Sequence, residues 1–216
     1  MHHMKVLSLG IVGVAFAATM VLGQGNQEAA NLTREGIEAS KAKDWDKAIT
    51  AFRRAAQLDQ HYAPNLASAL QQRATIYVSQ KKFQEAIADY SEALKIKSDA
   101  PDIYERRAYA EMQLRDYDKA LHDYNQAIKL NPQEAKYYQV RAIIYQEKGD
   151  FKAAMADTEK TLQLDPNNTD AQSRKRFLDA KLHGTPTPMP MPSGPIPNPN
   201  APPPAAAGGT PAPGRP

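Results

Sequence analysis

Across residues 29–168 the apolar positions follow a pattern that returns four times. "DWDKAITAFRRAAQLDQ" (44–60), "KFQEAIADYSEALKIKS" (82–98), "DYDKALHDYNQAIKLNP" (116–132) and "DFKAAMADTEKTLQLDP" (150–166) begin 38, 34 and 34 residues apart. A fixed period of this size marks a stacked array, in which one supersecondary unit recurs and buries its apolar face against its neighbours. Aligned on these stretches, the units run 29–62, 67–100, 101–134 and 135–168, with "APNL" (63–66) inserted after the first. Each unit holds two helical patterns around a short polar break: "KAKD", "SQKK", "QLRD" and "EKGD". Connections this short force the two helices antiparallel. Each second helix closes near Gln60, Ser98, Pro132 or Pro166, and proline cannot continue a helix. The pattern predicts an all-α chain of antiparallel helix pairs.

Small residues say where those helices cross. Ala48, Ala86, Ala120 and Ala154 share a column early in the second helix, and Ala55, Ala93, Ala127 and Thr161 follow seven residues on. Gly36, Ala74, Ala108 and Ala142 form the matching column of the first helix. Helix axes 8–10 Å apart need short side chains at the crossing. Larger residues fill the neighbouring holes: Trp45, Phe83, Tyr117 and Phe151 after the break, then Phe52, Tyr90 and Tyr124. Thr158 occupies that last column in the fourth unit, where looser packing is expected.

A charged pair follows from the same geometry. Arg73, Arg107 and Arg141 share a first-helix column, and Asp89, Asp123 and Asp157 lie sixteen residues later on the second helix. A hairpin turning midway brings each arginine opposite its aspartate. Three structural salt bridges within repeats are expected, and none in the first unit, which carries Glu35 and Ala51 there.

These columns resemble the tetratricopeptide repeat family: a small residue in the first helix, an aromatic after the turn, two alanines and a closing proline. The resemblance covers residues 29–168, and the first unit diverges most, lacking the first-helix aromatic and the closing proline. It implies a right-handed superhelical solenoid with a concave groove for peptides or partner proteins. The exposed first-helix columns would line that groove, with Arg34, Gln72, Arg106, Tyr109, Lys136 and Gln139 as partner-binding candidates and Arg174 continuing the line in the cap. Ile37, Thr75, Glu105, Met112 and Ile143 lie among the same columns. Arginine and tyrosine are enriched at binding hot spots, which singles out Arg106 with Tyr109. Some relatives clamp a chaperone's acidic carboxyl terminus with lysines, asparagines and an arginine. Here those columns hold Thr33, Ile37, Gln72, Asp102 and Arg106, and only the arginine matches.

Residues 169–183, "TDAQSRKRFLDAKLH", read as one further helix with Phe177, Leu178 and Leu182 on its apolar face, a solvating cap for the array. Composition then divides the chain into a head, a body and a tail. All 24 acidic residues lie between Glu28 and Asp179, and 25 of the 27 basic residues lie between Glu28 and His183, a balance of +1. That balance offers no electrostatic case for nucleic acid. The head carries Lys5 and then an apolar run from Val6 to Leu22. Residues 1–23 are therefore expected to be a signal peptide cut before Gln24, or an uncleaved membrane anchor. Residues 184–216 hold thirteen of the 17 prolines and are expected to be a disordered tail with polyproline II character, serving as a spacer or as a ligand for a partner.

Chemistry is conspicuous by omission. Without cysteine there is no disulfide, thiol nucleophile or thiolate metal site. His2, His3, His61, His122 and His183 show no metal spacing, and no phosphate loop, dinucleotide fingerprint or nucleophile elbow is present. No catalytic residue, metal or cofactor is expected. The expected function is a non-enzymatic interaction scaffold, exported to the periplasm or beyond, that holds a protein or peptide in its groove. A membrane-anchored assembly factor, or a self-associating spacer whose tail engages partners, is the alternative; neither partner nor oligomeric state can be read from the sequence.

Overall fold

The computed structural model describes residues 25–184 and 198–201. The expected signal peptide or anchor at 1–23 and the rest of the Pro-rich tail lie outside the described residues. The described chain is all-helical: α1 (25–41), α2 (Trp45–Leu58), α3 (Ala63–Ser79), α4 (Phe83–Ile96), α5 (Pro101–Gln113), α6 (Tyr117–Leu130), α7 (Ala135–Glu147), α8 (Phe151–Leu164) and α9 (Thr169–His183). Consecutive helices pack on one another, so α1/α2, α3/α4, α5/α6 and α7/α8 form four hairpins and α9 covers the last.

The hairpin turns share one design. At each, the helix ends with a residue in the left-handed region: Lys43 (φ 59°), Lys81 (φ 60°), Arg115 (φ 60°) and Gly149 (φ 77°). The Lys81 N–H donates to the Val78 carbonyl at 3.0 Å and the Lys82 N–H to the Tyr77 carbonyl at 2.8 Å. The other three turns repeat this pair of bonds, which satisfies two carbonyls the helix would otherwise leave open. The residue that closes the turn also opens the next helix. Asp44, Asp116 and Asp150 accept the N–H of Lys47, Lys119 and Ala153, whereas Lys82 has no side chain able to do so.

The small columns sit at the crossings. Ala48, Ala86, Ala120, Ala154, Ala55, Ala93, Ala127 and Thr161 are all fully buried, as are Ala74, Ala108 and Ala142. At Gly36 a Cβ would lie 2.6 Å from the Phe52 ring, so only glycine lets α1 approach α2 there. The ring column is buried at Phe52, Tyr90 and Tyr124, while Trp45, Phe83, Tyr117 and Phe151 are half-buried at the hairpin ends. Thr158 fills its place at the fourth hairpin and donates to the Ala154 carbonyl at 2.7 Å.

The "APNL" insertion is not a loop. Residues 63–66 begin α3, which is 17 residues long against 13 for α5 and α7. Four residues amount to about one helical turn, and the chain enters α3 through a 3-10 turn at Gln60–Tyr62. Pro64 tolerates this because the first helical turn needs no N–H from it.

Candidate interaction groove

The Arg–Asp columns meet as bidentate pairs. Arg73 Nε and Nη2 donate to Asp89 at 2.8 and 2.7 Å; Arg107 to Asp123 and Arg141 to Asp157 do so at 2.7 Å throughout. The aspartates are buried, and each arginine also reaches the preceding hairpin. Arg107 Nη1 donates to Ser91 Oγ at 2.9 Å and Arg141 Nη1 to Asn125 Oδ1, each acceptor sixteen residues upstream. Arg73 reaches Asp46 at 2.6 Å instead, since the position equivalent to Ser91 and Asn125 is Arg53, which has no acceptor and donates to Glu92. These pairs pin repeat to repeat, and their carboxylates are occupied.

Aromatic rings flank the guanidinium groups. Arg73 lies 5.6 Å from the Tyr77 ring, and Arg141 lies 5.6 and 5.9 Å from Tyr138 and Tyr145. Arg107 has Tyr104 at 5.8 Å, but the column of Tyr77 and Tyr145 holds Glu111. Glu111 is 3% exposed, with one oxygen 4.0 Å from Arg107. Burial, and then the neighbouring Asp123 charge, push its carboxyl up to about 8.

The first helices place the groove candidates unequally. Arg34 and Gln72 are exposed, and Gln72 lines a pocket of about 340 Å³ with Ile37, Ser40, Trp45, Phe52, Asn65, Ser68 and Ala69. Arg106 and Tyr109 are half-buried one turn apart on α5. Tyr109 packs against the core, and burial raises its hydroxyl pKa. Four candidates are already engaged within the fold, Arg106 and Arg174 in contacts described below. Lys136 Nζ lies 2.8 Å from Glu105 Oε1, joining α7 to α5. Gln139 accepts from Asn168 at 3.3 Å.

Arg174 corrects the expectation outright. It is 7% exposed and donates to Gln146 at 3.1 Å, so it is part of the contact that seats α9 rather than of an open groove. Its burial lowers its pKa. The reason is that α9 docks on α8 and turns its Ala171–Arg174–Leu178 face inward, whereas the helix's own apolar count pointed to Phe177, Leu178 and Leu182. Glu105 and Met112 are likewise buried, not groove-lining.

One polar group was overlooked. Tyr90 belongs to the buried ring column, yet its hydroxyl is 3.2 Å from Thr75 Oγ1 and donates to Asn200 Oδ1 at 2.8 Å. Arg106 Nη1 donates to the same oxygen at 2.7 Å. Sequence offered no clear signal for it, because Tyr124 in the same column is equally buried and its hydroxyl finds no partner among the described residues. The Gln72 pocket, with its largely apolar lining from α1, α2 and α3, and the polar Tyr90–Arg106 corner of α4 and α5 lie on successive hairpins. Among the described residues no group of three or more His, Asp or Glu side chains is arranged to hold a metal ion.

Stacked helix hairpins define an α-solenoid of the protein-interaction type. Residues 106–178 match a family model described as "Tetratricopeptide repeat" and residues 74–114 one described as "TPR repeat". Together these matches span residues 74–178, over which the chain is similar to tetratricopeptide repeat proteins. The first TPR of Spaghetti (RPAP3), solved with an HSP90 peptide SRMEEVD, is 29% identical with a TM-score of 0.52, over 54% of this chain and 93% of that one. The Arabidopsis OM64 TPR domain (24% identity, TM-score 0.51, 54% and 96% covered) and MamA (19%, 0.57, 74% and 84%) share the fold. Comparison with curated proteins finds no match.

Proposed function

We propose that this protein is a non-enzymatic scaffold that holds an extended segment of a partner protein along α1, α3 and α5. The observation that carries this reading is the convergence of two donors, Tyr90 and Arg106, beside the half-buried Tyr109 and the open Gln72 pocket. These groups offer hydrogen bonds and aromatic surface to a peptide, and the solved relative bound to an HSP90 peptide uses the same fold for a peptide ligand. A clamp for an acidic carboxyl terminus is not part of the reading, because only Arg106 matches that residue set.

The setting we propose is the bacterial cell envelope, reached through the apolar head at 1–23. No helix among the described residues is long and apolar enough to cross a membrane. Capture of partners from an envelope extract tests both parts. The Arg106→Ala, Tyr109→Ala double variant loses most of the capture while its thermal unfolding midpoint stays within a few degrees. Undiminished capture by a folded double variant sinks the groove assignment.

A further inference from the structure

The Pro-rich tail meets the repeat array at one described point. Asn198–Pro199–Asn200–Ala201 suits a β-turn, with asparagine first and then a proline whose fixed φ matches the second position. The Ala201 N–H donates to the Asn198 carbonyl at 3.1 Å, and the Asn200 N–H to Asn198 Oδ1 at 2.9 Å. A polyproline II tail was expected; at these four residues the chain is a closed turn instead. That turn projects Asn200 onto two helices at once, Tyr90 on α4 and Arg106 on α5, and the Tyr90 hydroxyl also meets Thr75 on α3.

The contact is well made on one side and poorly on the other. Tyr90 is 0% exposed; its hydroxyl lies 3.2 Å from Thr75 Oγ1 and donates to Asn200 Oδ1, which also accepts from the Arg106 guanidinium. Asn200 Nδ2, by contrast, is buried and finds no partner among the described residues. A seat that satisfies the protein but leaves the guest one unmet donor holds the guest weakly. The steps from Gly184 to Asn198 number 198 − 184 = 14, a tether that reaches at most about 50 Å at ~3.5 Å each. A short tether of this kind keeps the guest at an effective concentration on the order of millimolar.

We propose that the Asn198–Ala201 turn is a resident ligand of the groove, bound in cis through Asn200 and displaced when a partner segment takes the Tyr90–Arg106 donors. This regulatory role rests on the groove reading above. A turn seated about nine-tenths of the time weakens a competing segment about tenfold, so Asn200→Ala tightens partner capture by roughly that factor.

The chain has no cysteine, so Ala201→Cys accepts a single nitroxide label on the full-length protein. The label is expected to broaden the amide resonances of Thr75, Tyr90 and Arg106 in its own chain. Adding Asn200→Ala restores their intensity at least about threefold. Mixing labelled chain with unlabelled, isotopically enriched chain leaves them sharp. Absence of broadening overturns the proposal, and so does broadening that persists in the mixed sample, which places a second copy's turn in the seat. Partner capture separates the two readings. No broadening with Arg106-dependent capture refutes the tail contact alone; broadening with capture indifferent to Arg106 refutes the groove as a partner site.

Discussion

Repeats three and four carry the same pin and differ in what stands beside it. Arg107 and Arg141 each hold a buried aspartate at 2.7 Å and a polar side chain of the preceding hairpin. Next to Arg141 the first helix supplies Tyr145; next to Arg107 it supplies Glu111. One repeat therefore surrounds its guanidinium with one carboxylate and two rings, the other with two carboxylates and one ring. The tyrosine contributes packing and ring electrostatics. The glutamate is a second acid where one charge already suffices, and burial beside Asp123 keeps it protonated far above the ordinary range. Equivalent positions in a repeat array share a backbone geometry without sharing an energy.

Removing the aspartates breaks this comparison with the largest effect. Asp157→Ala leaves Arg141 buried without its carboxylate, and a loss on the order of 3 kcal/mol is expected from denaturant unfolding. Asp123→Ala costs about 1 kcal/mol less, because Glu111 ionises and turns its charge to Arg107 from 4.0 Å. The double variant Asp123→Ala, Glu111→Gln recovers the full Asp157→Ala loss; equal single-variant costs would refute the standby role.

Glu111 itself sharpens the contrast through pH. Its folded pKa of about 8 exceeds the ordinary 4.5, so between those values the folded chain holds a proton the unfolded chain has released. Stability from this group is complete below about pH 4.5 and is lost as pH rises through about 8. Glu111→Gln is insensitive to this window, and at pH 9 it is the more stable protein by something on the order of 2 kcal/mol. Chemical denaturation at pH 4, 7 and 9 reads the difference; a constant gap across the three would contradict it.

Smaller effects belong to the turns. Lys82 stands where the other three hairpins place a capping aspartate, so Lys82→Asp adds about 1 kcal/mol to the stability of the array. Arg115→Gly relieves a left-handed residue that Gly149 occupies without strain in the next repeat, for a gain of about 0.5–1 kcal/mol. Thermal unfolding of the two variants checks both, and the reverse change Gly149→Lys should lose a comparable amount.

Much of the architecture was legible in the chain because its contacts are local in sequence. Hairpin partners lie within one unit, so the spacing of Ala48, Ala55 and Gly36, and the sixteen-residue offset from Arg73 to Asp89, are set by helix period and a three- or four-residue break. The insertion at 63–66 was visible as extra residues, but not as an extra turn of α3, since a helix and a loop of four residues differ only through what they pack against. The candidate groove was legible only in part. Arg34 and Gln72 are open as their columns suggested, whereas Lys136 and Arg174 are consumed by Glu105 and Gln146 on other helices.

The sequence by itself determined the repeat, the pairing of helices and the small residues at each crossing. Tertiary structure decided which equivalent positions stay free. Lys43, Lys81 and Arg115 sit left-handed because helix packing on both sides of the turn outweighs their preference, a cost no propensity reveals. Asn200 meets Tyr90 across 110 residues and Arg106 across 94, a separation at which periodicity carries no information. Local patterns fix the elements; contacts between distant segments depend on where the finished solenoid leaves an unpaired donor.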